Sequence, residues 1–140
     1  MYSFDYVRPA SVADAVKALV ANPEARALAG GQTLIPTLKQ RLAAPTALVD
    51  LSGIAELKAI RRDGTNLVIG ALVTHDTVAR SADVKSAIPA LARLADGIGD
   101  PQVRNAGTLG GSLANNDPAA DYPAAALALG ATIVTSKRQI

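Results

Sequence analysis

Residues 107–123 have the sequence GTLGGSLANNDPAADYP, in which a double glycine precedes two asparagines and two aspartates. Another double glycine lies far upstream, in LAGGQTLIP at residues 28–36. Glycine has no Cβ, so it lets backbone N–H groups approach a ligand closely and also permits positive φ. Because a run of free N–H groups attracts anions, above all at the start of a helix, both stretches are candidate phosphate-binding segments.

The first glycine segment, defined as residues 28–35, joins a predicted buried strand at 25–29 to a predicted helix. Thr33 is the expected N-cap of that helix. A strand–glycine–helix junction suits phosphate, but it is commonly just a tight turn. Neither G-x-x-x-x-G-K-[ST] nor G-x-G-x-x-G occurs in the chain, so the spacing alone indicates only a possible nucleotide-binding domain.

The second glycine segment, defined as residues 107–112, offers a further set of donors, and an ordinary surface loop is the alternative. Two such segments can hold one diphosphate from both sides. A carboxylate suits sugar hydroxyls better than phosphate, which makes Asp117 and Asp121 candidates for a ribose or ribityl contact. The predicted N–H and hydroxyl donors are those of Thr108, Gly110, Gly111 and Ser112.

The rest of the chain mixes strand and helix patterns, which indicates the α+β or α/β class. Period-two alternation predicts a strand at 2–7, whose aromatic side chains are expected in the core, and an apolar face predicts a helix capped by Ser11. Asp63 and Gly64 predict a hairpin turn. Residues 97–121 show no periodicity and are expected to form a long loop. Further strands are predicted at 46–51 and 131–137, and further helices after Thr74, at 88–98 and at 123–130.

The composition excludes several classes of function. The chain has 140 residues, 49% of them hydrophobic, and no cysteine, which excludes disulfides, iron–sulfur ligation and thiolate catalysis. A net charge of +2, scattered along the chain, argues against nucleic acid as a partner. No secretory signal or membrane span is visible, so a cytoplasmic location is the default. His75 is the single histidine, and we expect it to have a structural role and no metal.

Three stretches together resemble a known family: FDYVRPASVADAV at 4–16, AGGQTLIP at 29–36 and NAGTLGGSLANNDPAADYPAAALALGA at 105–131. They are similar to the FAD-binding medium subunits of molybdenum hydroxylases, of the xanthine dehydrogenase and carbon monoxide dehydrogenase type. The similarity runs from residue 2 to the end of the chain. It implies an α+β, two-lobed FAD-binding fold of the vanillyl-alcohol oxidase and MurB-like type. We place the first lobe at 1–54 and an incomplete second lobe at 55–140.

The resemblance also implies which residues bind the cofactor. The two glycine segments would hold the FAD diphosphate, one from each lobe. Asp121 matches an acidic residue that meets ribityl or ribose hydroxyls, and Ile98 matches a position that packs near the cofactor. No catalytic side chain is implied, because the isoalloxazine carries the redox chemistry. The implied set is Leu28, Ala29, Gly30, Gly31, Gln32, Thr33, Leu34, Ile35, Ile98, Thr108, Leu109, Gly110, Gly111, Ser112 and Asp121.

In the assembly that the resemblance implies, electrons pass from iron–sulfur clusters on a small partner subunit to FAD and then to NAD+, a quinone or oxygen. Substrate oxidation takes place at the molybdenum cofactor of a large partner subunit. The family continues past the last residue here, so we expect a C-terminally truncated form that self-associates, or needs a partner, and binds FAD weakly. The alternatives are an assembly module without flavin and a domain for NAD or a nucleotide sugar.

Overall fold

The computed structural model describes residues 1–140 and confirms the α+β class. No helix in it combines the length and the apolar character needed to cross a bilayer. The strands are β1 (Asp5–Val7), β2 (Arg26–Leu28), β3 (Ala47–Asp50), β4 (Ile60–Asp63) and β5 (Asn66–Ile69). The α-helices are α1 (Val12–Ala21), α2 (Leu34–Lys39), α3 (His75–Arg80), α4 (Ala82–Ala87), α5 (Pro89–Gly97), α6 (Pro101–Ala106), α7 (Leu109–Asn115) and α8 (Asp121–Ala128), and two 3-10 turns cover Leu51–Gly53 and Ala55–Lys58.

β3 is the centre of a three-stranded parallel sheet with the order β1-β3-β2. All its residues are buried, as expected for a central parallel strand. Leu28, the last residue of β2, pairs with Asp50, the last residue of β3. Since the carboxyl ends of parallel strands meet at one edge and ligands bind outside that edge, the first glycine segment leaves the sheet at the expected place for a binding site.

Two hydrophobic clusters form the core. The first lies under the parallel sheet and joins Ala15, Ala25, Ala47, Val49 and Ile54. The second is built mainly from α3, α4 and α5, with Val73 and Tyr122. Leu57 also packs against the first cluster, so this cluster extends slightly past residue 54. The lobe boundary after residue 54 remains a proposal.

Several local signals in the sequence are confirmed. The Ser11 hydroxyl accepts a hydrogen bond from the Asp14 N–H, 3.1 Å away, and so caps α1. The Thr74 side chain caps α3 in the same way, and Asp63 lies at the turn of the antiparallel β4–β5 hairpin. Thr33 precedes α2 as predicted, but its side chain makes no capping hydrogen bond. β2 is more exposed than predicted, because it is an edge strand.

The long loop predicted at 97–121 is wrong, since α6 and α7 lie inside it. Asp100 caps α6 with its carboxylate, which accepts from the Gln102 N–H at 2.6 Å, and Pro101 occupies the first turn. Thr108 caps α7 by accepting from the Gly111 N–H at 3.1 Å. Small and polar residues give these short helices no apolar stripe, so caps rather than periodicity define them.

The strand predicted at 131–137 is also wrong. The chain end instead folds back on itself through a single antiparallel bridge between Val134 and Gln139. The Ile133 N–H donates to the Ile140 carbonyl at 2.8 Å, so the last residues pair with one another and not with a sheet. At the other end, Tyr2 and Tyr6 are 51% and 57% exposed, and the expected aromatic core stripe does not form.

Asp50 organises the carboxyl edge of the sheet. Asp50 is 8% exposed, and its carboxylate accepts a hydrogen bond from the Tyr6 hydroxyl. It also accepts from the backbone N–H and from the hydroxyl of Ser52, each at 2.8 Å. Arg8 Nε lies 3.7 Å from the same carboxylate. Burial pushes the pKa of Asp50 upward, but the hydrogen bonds from Tyr6 and Ser52 and the charge of Arg8 outweigh it and hold the pKa below 3.8.

We expect Asp50→Asn to lower the free energy of unfolding at pH 7 by about 2 kcal/mol, the range for hydrogen bonds to a charged group. Because the folded-state pKa is lowered, this contribution is present above the ordinary pKa of 3.8 and is lost as the pH falls through the folded value. Urea titrations at pH 7 and pH 3 measure both effects. Asp63→Asn is the matched control, since Asp63 pairs only with an exposed Arg61 and should change stability by less than about 0.5 kcal/mol. Equal losses of unfolding free energy in Asp50→Asn and Asp63→Asn would contradict the stabilising role of the Asp50 carboxylate.

Candidate functional site

The structure brings the two glycine segments into direct contact. A Cβ on Gly30 would lie 2.1 Å from the carbonyl oxygen of Ala106 and 2.8 Å from the Cα of Gly107. A Cβ on Gly111 would lie 3.8 Å from the Cβ of Ala29. Residues far apart in sequence therefore share one site, and glycine at position 30 is what permits the approach of the two backbones.

The first glycine segment presents a run of unpaired backbone donors. The N–H groups of residues 30–34 donate to no acceptor in the protein. Gly31 has φ +71°, a conformation that L side chains rarely adopt, and Gln32 and Thr33 are exposed. Successive N–H groups around a residue of positive φ form a concave anion-binding turn. These donors fit the diphosphate-binding role predicted for this segment.

The second glycine segment does not provide the N–H donors predicted from the sequence. The Leu109 N–H donates to the Val73 carbonyl at 3.0 Å, and the Gly110 N–H donates to the Ala71 carbonyl at 2.9 Å. The Gly111 and Ser112 N–H groups are bonded within the first turn of α7. What this segment can still offer a ligand is hydroxyl groups. The half-buried Ser112 side chain makes no hydrogen bond within the protein, and the Thr108 oxygen, although buried, only accepts one.

Two glycines of this segment, Gly107 and Gly110, permit close packing. A Cβ on Gly110 would lie 2.5 Å from the Cβ and 2.7 Å from the carbonyl oxygen of Ala71. A Cβ on Gly107 would lie 2.6 Å from Nε2 of His75. Residues 71–75 thus support the second glycine segment. No sequence motif indicates this supporting role.

The remaining predicted residues near the contact of the two glycine segments differ in burial and packing. Leu28, Ala29, Leu34 and Ile35 are half-buried in the first glycine segment. Ile98 ends α5 and packs against the second hydrophobic cluster, while its carbonyl accepts from Arg104 Nη1 at 2.9 Å.

The two candidate aspartates differ in their surroundings. Asp121 begins α8, is exposed and makes no hydrogen bond within the protein, so its carboxylate is free to accept from a ligand. Asp117 accepts from the Ala119 N–H at 2.9 Å and shapes the turn before α8. Of the two, Asp121 is the better candidate for a sugar hydroxyl.

Three buried polar atoms lack a hydrogen-bond partner: Nδ1 of His75, Nε of Arg104 and the hydroxyl of Tyr122. Burial lowers the pKa of His75. Burial, with a smaller contribution from the charge of Asp121, raises the pKa of Tyr122. Unsatisfied buried groups are rare in native proteins, and here they belong to residues adjoining the second glycine segment or Asp121.

This combination of an anion-binding turn at the carboxyl edge of a parallel sheet and a second, hydroxyl-bearing segment packed on it defines a domain suited to a phosphate-bearing ligand. Comparison with known proteins specifies the class. The family model described as the FAD binding domain in molybdopterin dehydrogenase matches residues 2–139. The chain belongs to this family of FAD-binding domains, which also confirms the cofactor expected from the sequence.

Individual relatives agree with the family assignment. The carbon monoxide dehydrogenase medium chain of Afipia carboxidovorans is 48% identical over 130 residues, which are 92% of this chain and 45% of the relative. The glyceraldehyde dehydrogenase medium chain of Sulfolobus acidocaldarius is 42% identical over 133 residues, 95% of this chain and 47% of that one. The structure of quinoline 2-oxidoreductase from Pseudomonas putida 86 superimposes with a TM-score of 0.95 at 38% identity, over 99% of this chain and 50% of that one. The chain thus spans about half the length of the relatives it matches.

Proposed function

We propose that this chain binds FAD with its diphosphate on the free N–H groups of residues 30–34. The observation that carries the proposal is that these donors lack any protein acceptor and lie where Gly30 meets Ala106 and Gly107. Backbone donors without a protein acceptor hydrogen-bond to water in the free chain and can donate to a ligand that displaces this water. The hydroxyls of Thr108 and Ser112 add donors from the facing side of the same site.

The other proposed contacts follow from exposure and position. Asp121 accepts a hydrogen bond from a ribose or ribityl hydroxyl, and Ile98 contributes an apolar wall. The full proposed set is Leu28, Ala29, Gly30, Gly31, Gln32, Thr33, Leu34, Ile35, Ile98, Thr108, Leu109, Gly110, Gly111, Ser112 and Asp121. In this set Leu109 and Gly110 act through packing, because their N–H groups already donate to the protein. Gly111, whose N–H donates to the cap of α7, acts through the space that it leaves for the cofactor.

The proposed activity is that of an oxidoreductase subunit. When bound, FAD would supply the redox chemistry that links iron–sulfur clusters of a small partner subunit to NAD+, a quinone or oxygen as the electron acceptor. The substrate is oxidised at the molybdenum cofactor of a large partner subunit. The residues of this chain bind and orient the cofactor, and none of them needs to transfer a proton. The proposed architecture is the two-lobed fold of the vanillyl-alcohol oxidase and MurB-like type.

A ligand titration tests this function. The purified chain is titrated with FAD, NAD and UDP-glucose in turn, and binding is followed by isothermal calorimetry. We expect saturable binding of FAD only. Binding of NAD or UDP-glucose in preference to FAD would indicate a different nucleotide-binding domain. No uptake of any of the three would indicate an assembly module without flavin.

We expect Asp121→Ala to weaken FAD binding by about one to two orders of magnitude, since a hydrogen bond to a charged acceptor is worth roughly 1.5–3 kcal/mol. The alternative role of Asp121 is to stabilise the first turn of α8 through the helix dipole, worth about 0.3–1 kcal/mol. Asp14→Ala is a matched control, because Asp14 lies in the first turn of α1, away from the site. A stability loss in both variants with unchanged FAD affinity would assign Asp121 to the dipole role alone.

A further inference from the structure

A buried imidazole connects the second glycine segment to α8. His75 is 6% exposed, and its ring centroid lies 5.1 Å from that of Tyr122, with 35° between the two planes. The Nε2–Cδ2 edge of the ring lies against Gly107, where an added Cβ would be 2.6 Å from Nε2 and 2.9 Å from Cδ2. Tyr122 follows Asp121 directly in α8, so His75 lies between the two parts of the chain that we assign to the cofactor.

The backbone around His75 ties the same parts together. The His75 N–H donates to the Gly107 carbonyl at 3.0 Å, and Thr74 forms an antiparallel bridge with Thr108. The Leu109 and Gly110 N–H groups donate to the carbonyls of the segment that precedes His75. Both the ring and the backbone of His75 therefore contact the second glycine segment.

Protonation of the His75 ring would leave a charged N–H at Nδ1 with no hydrogen-bond partner. This nitrogen is buried, and the buried hydroxyl of the stacked Tyr122 likewise lacks a partner. Burial is the cause that lowers the pKa of His75.

The charged groups on the neighbouring elements are engaged elsewhere or exposed. In α3 itself, Asp76 binds Arg80 at 2.7 Å. In α6, Arg104 donates to the carbonyls of Ile98 and Gly99. In α8, Asp121 is exposed. In α5, Arg93 and Asp96 line an open surface groove.

We propose that His75, in its neutral form, is a positioning residue that holds the second glycine segment against α8, and that protonation of its ring weakens the binding of FAD. This inference rests on the proposed function. A pH effect on this segment can be assigned to His75, because the chain has one histidine and no cysteine. Because the pKa of His75 is lowered in the folded chain, the free energy of unfolding is complete above the ordinary histidine pKa of 6.5 and falls as the pH decreases below it. FAD affinity falls only as the pH decreases through the lowered pKa of the folded chain.

The first test measures FAD affinity against pH by the quenching of FAD fluorescence, between pH 7.5 and pH 5.0, for the parent and for His75→Phe. Phenylalanine keeps an aromatic ring against Tyr122 but cannot be protonated. We expect the Kd of the parent to rise with falling pH, by at most about tenfold per pH unit because one proton is involved, and the Kd of His75→Phe to stay constant. His75→Gln provides a second variant that does not titrate. A parent Kd that is independent of pH, or an equal slope in both variants, would overturn the proposal.

The second test needs no cofactor. Hydrogen-exchange protection factors are measured for the amides of Leu109 and Gly110 at pH 7.0 and pH 5.0, with Ala15 in α1 as the reference amide. We expect protection of Leu109 and Gly110 to fall at pH 5.0 in the parent and not in His75→Phe, while Ala15 is unchanged. Protection that is constant in the parent would contradict a positioning role. A third outcome is that neither the parent nor the His75 variants bind FAD at pH 7.5, while the protection of Leu109 and Gly110 still falls at pH 5.0 in the parent. In that case the proposed function fails, and the role of His75 in holding this segment stands.

Discussion

Gly30→Val is expected to force the two glycine segments apart and to abolish FAD binding. The atoms nearest to the new Cβ all belong to backbone: the carbonyl oxygen of Ala106 at 2.1 Å, its carbonyl carbon at 2.8 Å and the Cα of Gly107 at 2.8 Å. Backbone at the junction of α6 and α7 cannot rotate away as a side chain can. We expect a loss of about 3 kcal/mol or more in the free energy of unfolding, the upper end of the overpacking range, measured by urea denaturation.

Gly99→Ala is the matched control for this substitution. An added Cβ there meets nothing within 4 Å, and Gly99 is not among the residues of positive φ. Its stability should change by less than about 0.5 kcal/mol, and its FAD affinity should equal that of the parent. If Gly30→Val were as stable as Gly99→Ala and bound FAD equally well, the close contact of the two segments would be wrong.

The second large effect is expected for Gly110→Val. Its Cβ would lie 2.5–2.8 Å from the Cβ, carbonyl oxygen and Cα of Ala71, and the Gly110 N–H would lose its 2.9 Å bond to the Ala71 carbonyl. Overpacking and a lost buried hydrogen bond act together, so we expect a loss of about 3 kcal/mol. The segment then no longer rests on residues 71–75, and FAD affinity falls with it.

Gly111→Ala separates packing from ligand contact. The new Cβ would meet Thr108 Oγ1 at 2.7 Å and disturb the cap of α7, a cost of about 1 kcal/mol, but it would touch no backbone of another segment. We therefore expect a folded variant whose weakened FAD binding reports on the space available to the cofactor. Equal stability of Gly110→Val and Gly111→Ala, compared by thermal unfolding, would contradict the support assigned to Ala71.

The elements that the sequence predicts well are those with local causes. Ser11 and Thr74 cap helices, and Asp63 with Gly64 closes a hairpin, because a cap or a turn depends on a few neighbouring residues. The two glycine segments were recognised for the same reason. The sequence and the family resemblance predict that the two segments hold one diphosphate from both sides. The direct contact of their backbones at Gly30 is visible only in the folded chain.

What the sequence could not predict depends on distant partners. Whether an N–H group is free depends on carbonyl groups that lie far away in sequence. The sequence therefore predicts free donors at Leu109 and Gly110, whereas in the structure the carbonyls of Val73 and Ala71 accept from them. α6 and α7 lack an apolar stripe, and the residues after Ala131 pair with themselves although their composition favours a sheet. His75 gave no signal beyond being the single histidine.

The binding of the FAD diphosphate by residues 30–34 is tested most directly by a two-dimensional 1H–15N NMR titration of the labelled chain with FAD, with riboflavin as the phosphate-free reference. We expect the amides of residues 30–34 to shift with FAD and not with riboflavin, because the diphosphate accepts hydrogen bonds from them. We expect the amides of Leu109 and Gly110, which already donate to the protein, to shift much less. Saturable FAD binding that leaves the amides of residues 30–34 in place, or that riboflavin reproduces in full, would contradict a diphosphate site at these residues.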